Sequence, residues 1–93
     1  MIGEFVLVRT FSAGVHCGIL EEQNGTAAIL TDARRIWRWR GANSLNELSL
    51  QGSAKEYTRI SEPVARILLT QATEVIPTTE KARKNLSESR WGS

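Results

Sequence analysis

The sequence predicts a small α+β domain, mainly β, built as a strongly bent antiparallel barrel with one or two short helices. Short runs rich in β-branched and aromatic residues recur along the chain, and turn residues separate them, which is typical of strands. An Asn-Gly pair at residues 24–25 predicts a tight hairpin between two of these runs. Capping patterns at Ser44 and Thr79 predict the helices.

The 93 residues are enough for one domain, and a single domain over residues 1–93 is expected. Its predicted parts are a β-rich core over residues 1–77, a C-terminal helix over 78–88 and a tail over 89–93.

Two strands are predicted in the first part of the chain. Residues 4–11 form the first strand and residues 15–22 the second, with Ser12-Ala13-Gly14 as the turn between them. Gly18 lies inside the second strand. A glycine at such a position often marks a bulge or a strong bend, as at the corner of a barrel.

The Asn24-Gly25 pair predicts a hairpin because both central residues of a type I′ turn need positive φ. Residues 27–31 then form a third strand. Residues 34–40 alternate strictly and predict a strand that Gly41 ends. The sequence leaves open whether the chain bends at residues 32–33 or runs on as one strand.

A short helix is predicted after Gly41. Ser44 and Glu47 have the spacing of a capping box, and Gly52 is suited to end the helix. The leucines expected to face the core are Leu45, Leu48 and Leu50.

The last third of the chain predicts more strands and a second helix. Residues 56–60 form a short strand that Pro63 ends. Residues 64–76 combine a partly helical spacing with many β-type residues, and we predict a strand or a pair of strands near 65–76. Thr79 as N-cap then opens a C-terminal helix to about Ser87.

The composition predicts a globular cytoplasmic protein. Apolar residues make up 41% and charged residues 24%, close to globular averages. The net charge of +2 is too small to indicate nucleic-acid binding by itself. The single cysteine fits a reducing compartment. No apolar run approaches about 18 residues, and no basic segment opens the chain, so neither a membrane span nor a signal peptide is expected.

Catalysis, a metal site and a cofactor are not expected. His16 and Cys17 are the only His and Cys in the chain, and as neighbours on a strand they point to opposite faces. One residue of each type cannot complete a tetrahedral zinc site, and no glycine pattern for a nucleotide cofactor is present. Cys17 is expected in the core, and His16 either at the surface or with its hydrogen bonds satisfied. The chain is therefore not predicted to be an enzyme.

The run from residue 33 to residue 41 is the candidate binding site, because it holds four of the twelve Lys and Arg residues and two of the three Trp. An arginine suits a phosphate bidentately, and a Trp ring stacks on a nucleobase. The alternative is a packing role, with the Trp rings in the core and the Arg stems lying over them. On a strand, Arg35, Trp37 and Trp39 share one face, and Arg34, Ile36, Arg38 and Arg40 share the other.

Asn43 and Ser44 extend the candidate site. The N–H groups and dipole at the start of the predicted helix favour an anion, and Arg34 and Arg35 beside it would complete an anion pocket. The alternative is that Ser44 only caps the helix.

Two resemblances add to this interpretation. The outline from Phe5 to Ala33, with Cys17-Gly18-Ile19-Leu20 in its second strand, resembles the first half of Sm-like proteins. These are small bent barrels related to the SH3 shape, and they form rings. The Arg-Gly signature of their second half is absent here. The second resemblance covers nearly the whole chain and is to a family of short tailed-phage proteins without an assigned activity. Its segments are Val8–Val15, Leu30–Trp37, Gly41–Leu45 and Ile67–Thr70.

The residues and the second resemblance together predict a phage accessory protein that counters host defence. It would sequester a nucleotide-type signal, such as a cyclic dinucleotide or a cyclic ADP-ribose-type molecule, at the Arg/Trp run. One alternative is an inhibitor that binds a host protein directly through Trp and Arg hot spots. The other, ranked lower, is a small nucleic-acid-binding protein. The resemblance and the small size also imply a homo-oligomer in the cytoplasm of the host cell.

Overall fold

A computed structural model of the protein describes residues 1–54 and 58–89. These residues form six strands and two helices. The strands are β1 (Phe5–Thr10), β2 (Val15–Asn24), β3 (Ala27–Arg38), β4 (Arg59–Ile60), β5 (Val64–Leu69) and β6 (Ala72–Pro77), and the helices are α1 (Leu45–Gln51) and α2 (Glu80–Glu88).

All six strands belong to one antiparallel sheet with the order β4-β3-β2-β1-β6. The edge of β3 that faces away from β2 is shared, because β5 pairs with its first half and β4 with its second half. The strands β5 and β6 follow each other in the chain, but no ladder joins them within the described residues. The predicted α+β class with mainly antiparallel strands and two short helices is thus confirmed, whereas the sheet is not a closed barrel.

The hairpin between β2 and β3 is confirmed, and its turn lies one residue later than predicted. Asn24 pairs with Ala27, so the two central residues are Gly25 and Thr26. Only Gly25 has positive φ, at 61°. A turn with positive φ at its first central position has the type II′ pattern, in which glycine is needed only there.

The bend predicted at Gly18 is confirmed by the ladder between β2 and β3. Cys17 pairs with Arg34 and Ile19 with Thr31, so two steps on β2 oppose three steps on β3. The extra residue is a β-bulge in β3, where Asp32 has a φ of 49°. The chain therefore runs on as one strand through residues 32–33, and it is bent there.

The bulge decides which side chains of β3 face which core. Ala28 and Leu30 lie on one face of β3, and after the extra residue Ala33 lies on that same face. Ile36 lies on the opposite face. Without the bulge, alternation would place Ile36 with Ala28 and Leu30.

Two apolar cores result, one on each face of the sheet. The helices cover the first core, which contains Leu7, Val15, Cys17, Ile36, Leu45, Leu48, Ile60 and Leu86. The second core lies on the other face of the sheet, away from the helices. It contains Val6, Val8, Leu20, Ala28, Leu30, Ala33 and Leu69.

The helix caps are as predicted. Ser44 Oγ accepts the N–H of Glu47 at 3.1 Å, and the N–H of Gly52 donates to Leu48 at the other end of α1. Thr79 caps α2 in the same way by accepting from Ala82. One detail of α1 was predicted wrongly, because Leu50 is 54% exposed and only Leu45 and Leu48 reach the core.

Two other predictions were partly met or lie beyond the described residues. The strand predicted over 56–60 is observed as β4, but residues 56–57 are outside the described part, as are residues 90–93 of the predicted tail with Trp91. The sequence left open one strand or a pair of strands near 65–76, and the structure has the pair, β5 and β6. Neither helix of the described chain has the length and apolar character that crossing a membrane requires.

Candidate functional site

A surface cavity of about 440 Å³ lies where the second half of β3 meets the segment that joins β4 to β5. Its volume falls in the range of small-ligand sites, about 300–1,000 Å³. The lining residues are His16, Ala33, Arg34, Arg35, Trp37, Ser61, Glu62, Val64 and Ile67. Three of the eight residues predicted from the sequence therefore meet at this cavity.

Arg35 is fixed in the cavity by its neighbour across the ladder. It pairs with His16 of β2, and its Nε donates to His16 Nε2 at 3.2 Å. The Arg35 side chain is exposed, and within the described residues this is its one hydrogen bond. The two terminal nitrogens of its guanidinium thus have donors left for a ligand.

His16 is buried, with only 1% of its surface exposed. Burial, and secondly the charge of Arg35, lower its pKa from 6.5 to about 4, so the ring is neutral at pH 7. Because Nε2 accepts from Arg35, the ring carries its proton at Nδ1, which is buried without a partner among the described residues. The predicted alternatives of an exposed or fully satisfied His16 were therefore wrong.

The lowered pKa predicts a pH dependence of stability. Between pH 6.5 and 4 the unfolded chain binds a proton at residue 16 that the folded chain does not, so the free energy of unfolding falls as the pH falls. Above pH 6.5 and below pH 4 this group adds no slope. In that window the slope of the unfolding free energy against pH measures how many protons the chain takes up on unfolding. We expect His16→Gln to reduce this uptake by up to about one proton. Urea titrations at several pH values give the unfolding free energy of both proteins. If the two plots of that free energy against pH run parallel, the prediction is contradicted.

Trp37 presents its ring to solvent at the cavity. It is 60% exposed, and the Arg38 guanidinium lies over the ring at 5.4 Å from its centroid. Trp39 behaves differently, because β3 ends at Arg38 and the Trp39 ring is partly buried against the first core. The predicted common face of the two rings is thus not formed, and the packing alternative applies to Trp39.

Arg34 lines the cavity, but its guanidinium serves the fold. It donates to the backbone carbonyls of Ile60, Ser61, Leu86, Ser87 and Ser89. Three of these acceptors belong to the C-terminal end of α2, where carbonyls lack helical partners and the dipole favours a cation. The side chain therefore ties α2 to β3, and few of its donors remain for a ligand.

The other three predicted residues lie away from the cavity. Asn43 and Ser44 are bonded within the start of α1, where the N–H of Asn43 and its side-chain amide both donate to Glu47. The backbone oxygen of Arg40 accepts the N–H of Ala54 at 2.8 Å. The helix start and the Arg34–Arg35 pair are thus not brought together as one anion pocket at this cavity.

Sequence reasoning missed the cavity residues that come from the β4–β5 segment and from β5, namely Ser61, Glu62, Val64 and Ile67. Residues 61–63 carried only a strand-breaking signal. The sequence around these four residues carries no local signal of a binding site.

Other chemistry has little support in the described part of the chain. No group of three His, Cys, Asp or Glu side chains is close enough there to hold a metal ion. Cys17 is fully buried, and burial raises the pKa of its thiol to about 12, so it is unreactive. The prediction that it belongs to the core is confirmed.

Comparison with known proteins gives one match. Curated proteins and solved structures contain no significant match to the chain. A family model described as "Domain of unknown function (DUF6948)" matches residues 3–86. Because this match spans the whole sheet and most of α2, the chain belongs to that family of unknown function.

Proposed function

We propose that the protein binds a nucleotide-type small molecule in the cavity, with a base against Trp37 and a phosphate on Arg35. The observation that carries the proposal is that one cavity of about 440 Å³ combines an exposed Trp ring with an arginine whose terminal donors are available. A base stacked on an aromatic side chain contributes about 1–3 kcal/mol.

The electrostatics of the cavity support the same ligand class. Neutral His16 accepts from Arg35 Nε, which orients the guanidinium without placing a counter-charge beside it. A planar guanidinium held in this way suits a phosphate, which it can bind through two parallel hydrogen bonds. The apolar side chains of Val64 and Ile67 also line the cavity and offer an apolar surface to the base.

The biological role of such binding follows from the resemblance to short tailed-phage proteins. A phage protein that holds a nucleotide tightly, and does not turn it over, lowers the free concentration of that nucleotide in the host. We therefore propose a counter-defence role in which a nucleotide signal of the host is sequestered. This role depends on tight binding and requires no catalytic residue.

Calorimetric titration tests the proposal with a panel of cyclic dinucleotides and cyclic ADP-ribose. We expect at least one member to bind, and Trp37→Ala to weaken its affinity about tenfold, since one stacked base is lost. Phe11→Ala is the matched control, because Phe11 is a 79% exposed aromatic residue outside the cavity. Absence of binding across the whole panel, or an equal loss in both variants, would reject the proposed site.

A further inference from the structure

We propose that the cavity selects a guanine-type base through Glu62. This inference rests on the proposed function and specifies its ligand as one whose base edge carries two adjacent N–H donors. It comes from the presence of Glu62 in the same cavity as Trp37 and Arg35, and from the donors and acceptors that remain available there once the internal hydrogen bonds are counted.

Glu62 is held at the cavity by its backbone neighbours. The N–H of Ser61 donates to the Arg35 carbonyl at 2.9 Å, and the N–H of Arg35 donates to Ser61 Oγ, also at 2.9 Å. Ser61 Oγ in turn donates to the backbone oxygen of Glu62 at 3.1 Å. These three bonds fix the start of the β4–β5 segment against β3, so Glu62 lines the same cavity as Arg35 and Trp37.

The carboxylate of Glu62 has both oxygens available. Among residues 1–54 and 58–89 it takes part in no ion pair and accepts no hydrogen bond, and the side chain is exposed. An ionised carboxylate only accepts hydrogen bonds, and its two oxygens can take two parallel N–H donors. The ligand that fits it therefore presents a pair of donors side by side.

Three charged side chains line the cavity, Arg34, Arg35 and Glu62, and of the two cations only Arg35 has terminal donors left for a ligand. The donors of Arg34 are directed to backbone carbonyls, and His16 is neutral. Arg35 and Glu62 line the same cavity as the exposed Trp37 ring. A ligand that carries only negative groups would leave Glu62 unpaired and repelled, whereas one with a phosphate and a donor edge satisfies both.

Guanine has this donor edge and adenine does not. The ring N1–H and the exocyclic N2 amine of guanine are adjacent donors. Adenine places its N6 amine next to N1, which is an acceptor and would face a carboxylate oxygen. Hydrogen bonds to a charged partner are stronger than neutral ones, so the difference between the bases is expected to be at least about tenfold in affinity.

The experiment compares three probes that differ only in the base, namely cyclic di-GMP, cyclic di-IMP and cyclic di-AMP. Hypoxanthine in cyclic di-IMP keeps N1–H and lacks the amine, so we expect its affinity to fall between the other two. Glu62→Gln is expected to reduce the guanine preference from about tenfold or more to about threefold or less, because an amide oxygen is a weaker single acceptor. Glu22→Gln is the matched control, since Glu22 is exposed and lies outside the cavity.

The outcomes separate this inference from the proposed function. Cyclic di-AMP binding as tightly as cyclic di-GMP, or a guanine preference unchanged in Glu62→Gln, overturns the inference and leaves nucleotide binding in place. If cyclic ADP-ribose is the one nucleotide that binds, the guanine preference is also overturned and nucleotide binding is left in place. Binding of none of the cyclic nucleotides overturns both. Circular dichroism of each variant establishes that a lost preference does not come from unfolding.

Discussion

Replacing Arg34 with methionine is expected to lower the free energy of unfolding by about 3 kcal/mol. The side chain donates to five backbone carbonyls, including Ser61 at 2.7 Å and Leu86 at 3.0 Å. Hydrogen bonds from a charged group contribute about 1.5–3 kcal/mol, and removing the donor also leaves partly buried carbonyls unpaired. Methionine keeps the apolar stem, so most of the loss reports on the guanidinium. Urea unfolding followed by fluorescence gives the free energy and shows whether the m value stays constant.

Two further variants make this result specific. Arg34→Lys is expected to lose roughly half as much, because one ammonium has three donors and cannot span acceptors at both Ser61 and Leu86. Arg83→Met is the matched control on α2, where Arg83 is exposed and 3.9 Å from Glu80, a pair worth less than about 0.5 kcal/mol. If the free energy of unfolding of Arg34→Met lies within about 0.5 kcal/mol of that of the unchanged protein, the guanidinium does not hold α2 in place.

The Arg34→Met variant also distinguishes a side chain that stabilises the fold from one that binds the ligand. The proposed phosphate contact belongs to Arg35, whose side chain bonds only His16 among the described residues. At a temperature where Arg34→Met is folded, its affinity for a panel nucleotide is therefore expected to stay close to that of the unchanged protein. Two adjacent arginines with the same local sequence signal thus have different tasks.

Much of the fold could be predicted because its signals are local. The Asn24-Gly25 hairpin, the bend at Gly18 and the caps at Ser44 and Thr79 each depend on a few consecutive residues. These features have a strong backbone cause, namely a φ requirement or an N–H group that needs a partner. Except for the one-residue shift of the hairpin turn, these features lie where the sequence predicts them.

The candidate site depends on contacts that the sequence does not display. Arg34 finds acceptors up to 55 positions away, at the end of α2, and no spacing rule marks that partner. Trp37 and Trp39 are two positions apart, so a continuous strand would place them on one face. Because β3 ends at Arg38, the Trp39 ring packs on the first core instead. Glu62 comes to the cavity because its neighbour Ser61 pairs with Arg35 across the sheet. Each of these facts depends on tertiary contacts between residues far apart in the sequence or on where a strand ends, and local patterns leave both open.

The second large effect is expected at Gly18. A Cβ atom built there would lie 2.9 Å from the Thr31 carbonyl oxygen and 3.2 Å from Ala33 Cα, both backbone atoms of the bulged strand β3. Because backbone atoms on a paired strand cannot move aside without breaking the ladder, Gly18→Ala is expected to cost about 2–3 kcal/mol of unfolding free energy. Gly14→Ala is the control, since its Cβ would meet nothing within 4 Å and only the φ of +84° costs energy, about 1 kcal/mol.

The bulge that presses against Gly18 also sets the direction of every side chain after it. The extra residue at Asp32 turns Arg34 and Ile36 towards the helices and leaves Arg35 and Trp37 on the face of the cavity. A methyl group at position 18 is therefore expected to weaken nucleotide binding as well as stability, because relief of the contact shifts β3 at the bulge. A Gly18→Ala protein with unchanged stability in urea and unchanged affinity would show that this close approach does not hold the bulge in place.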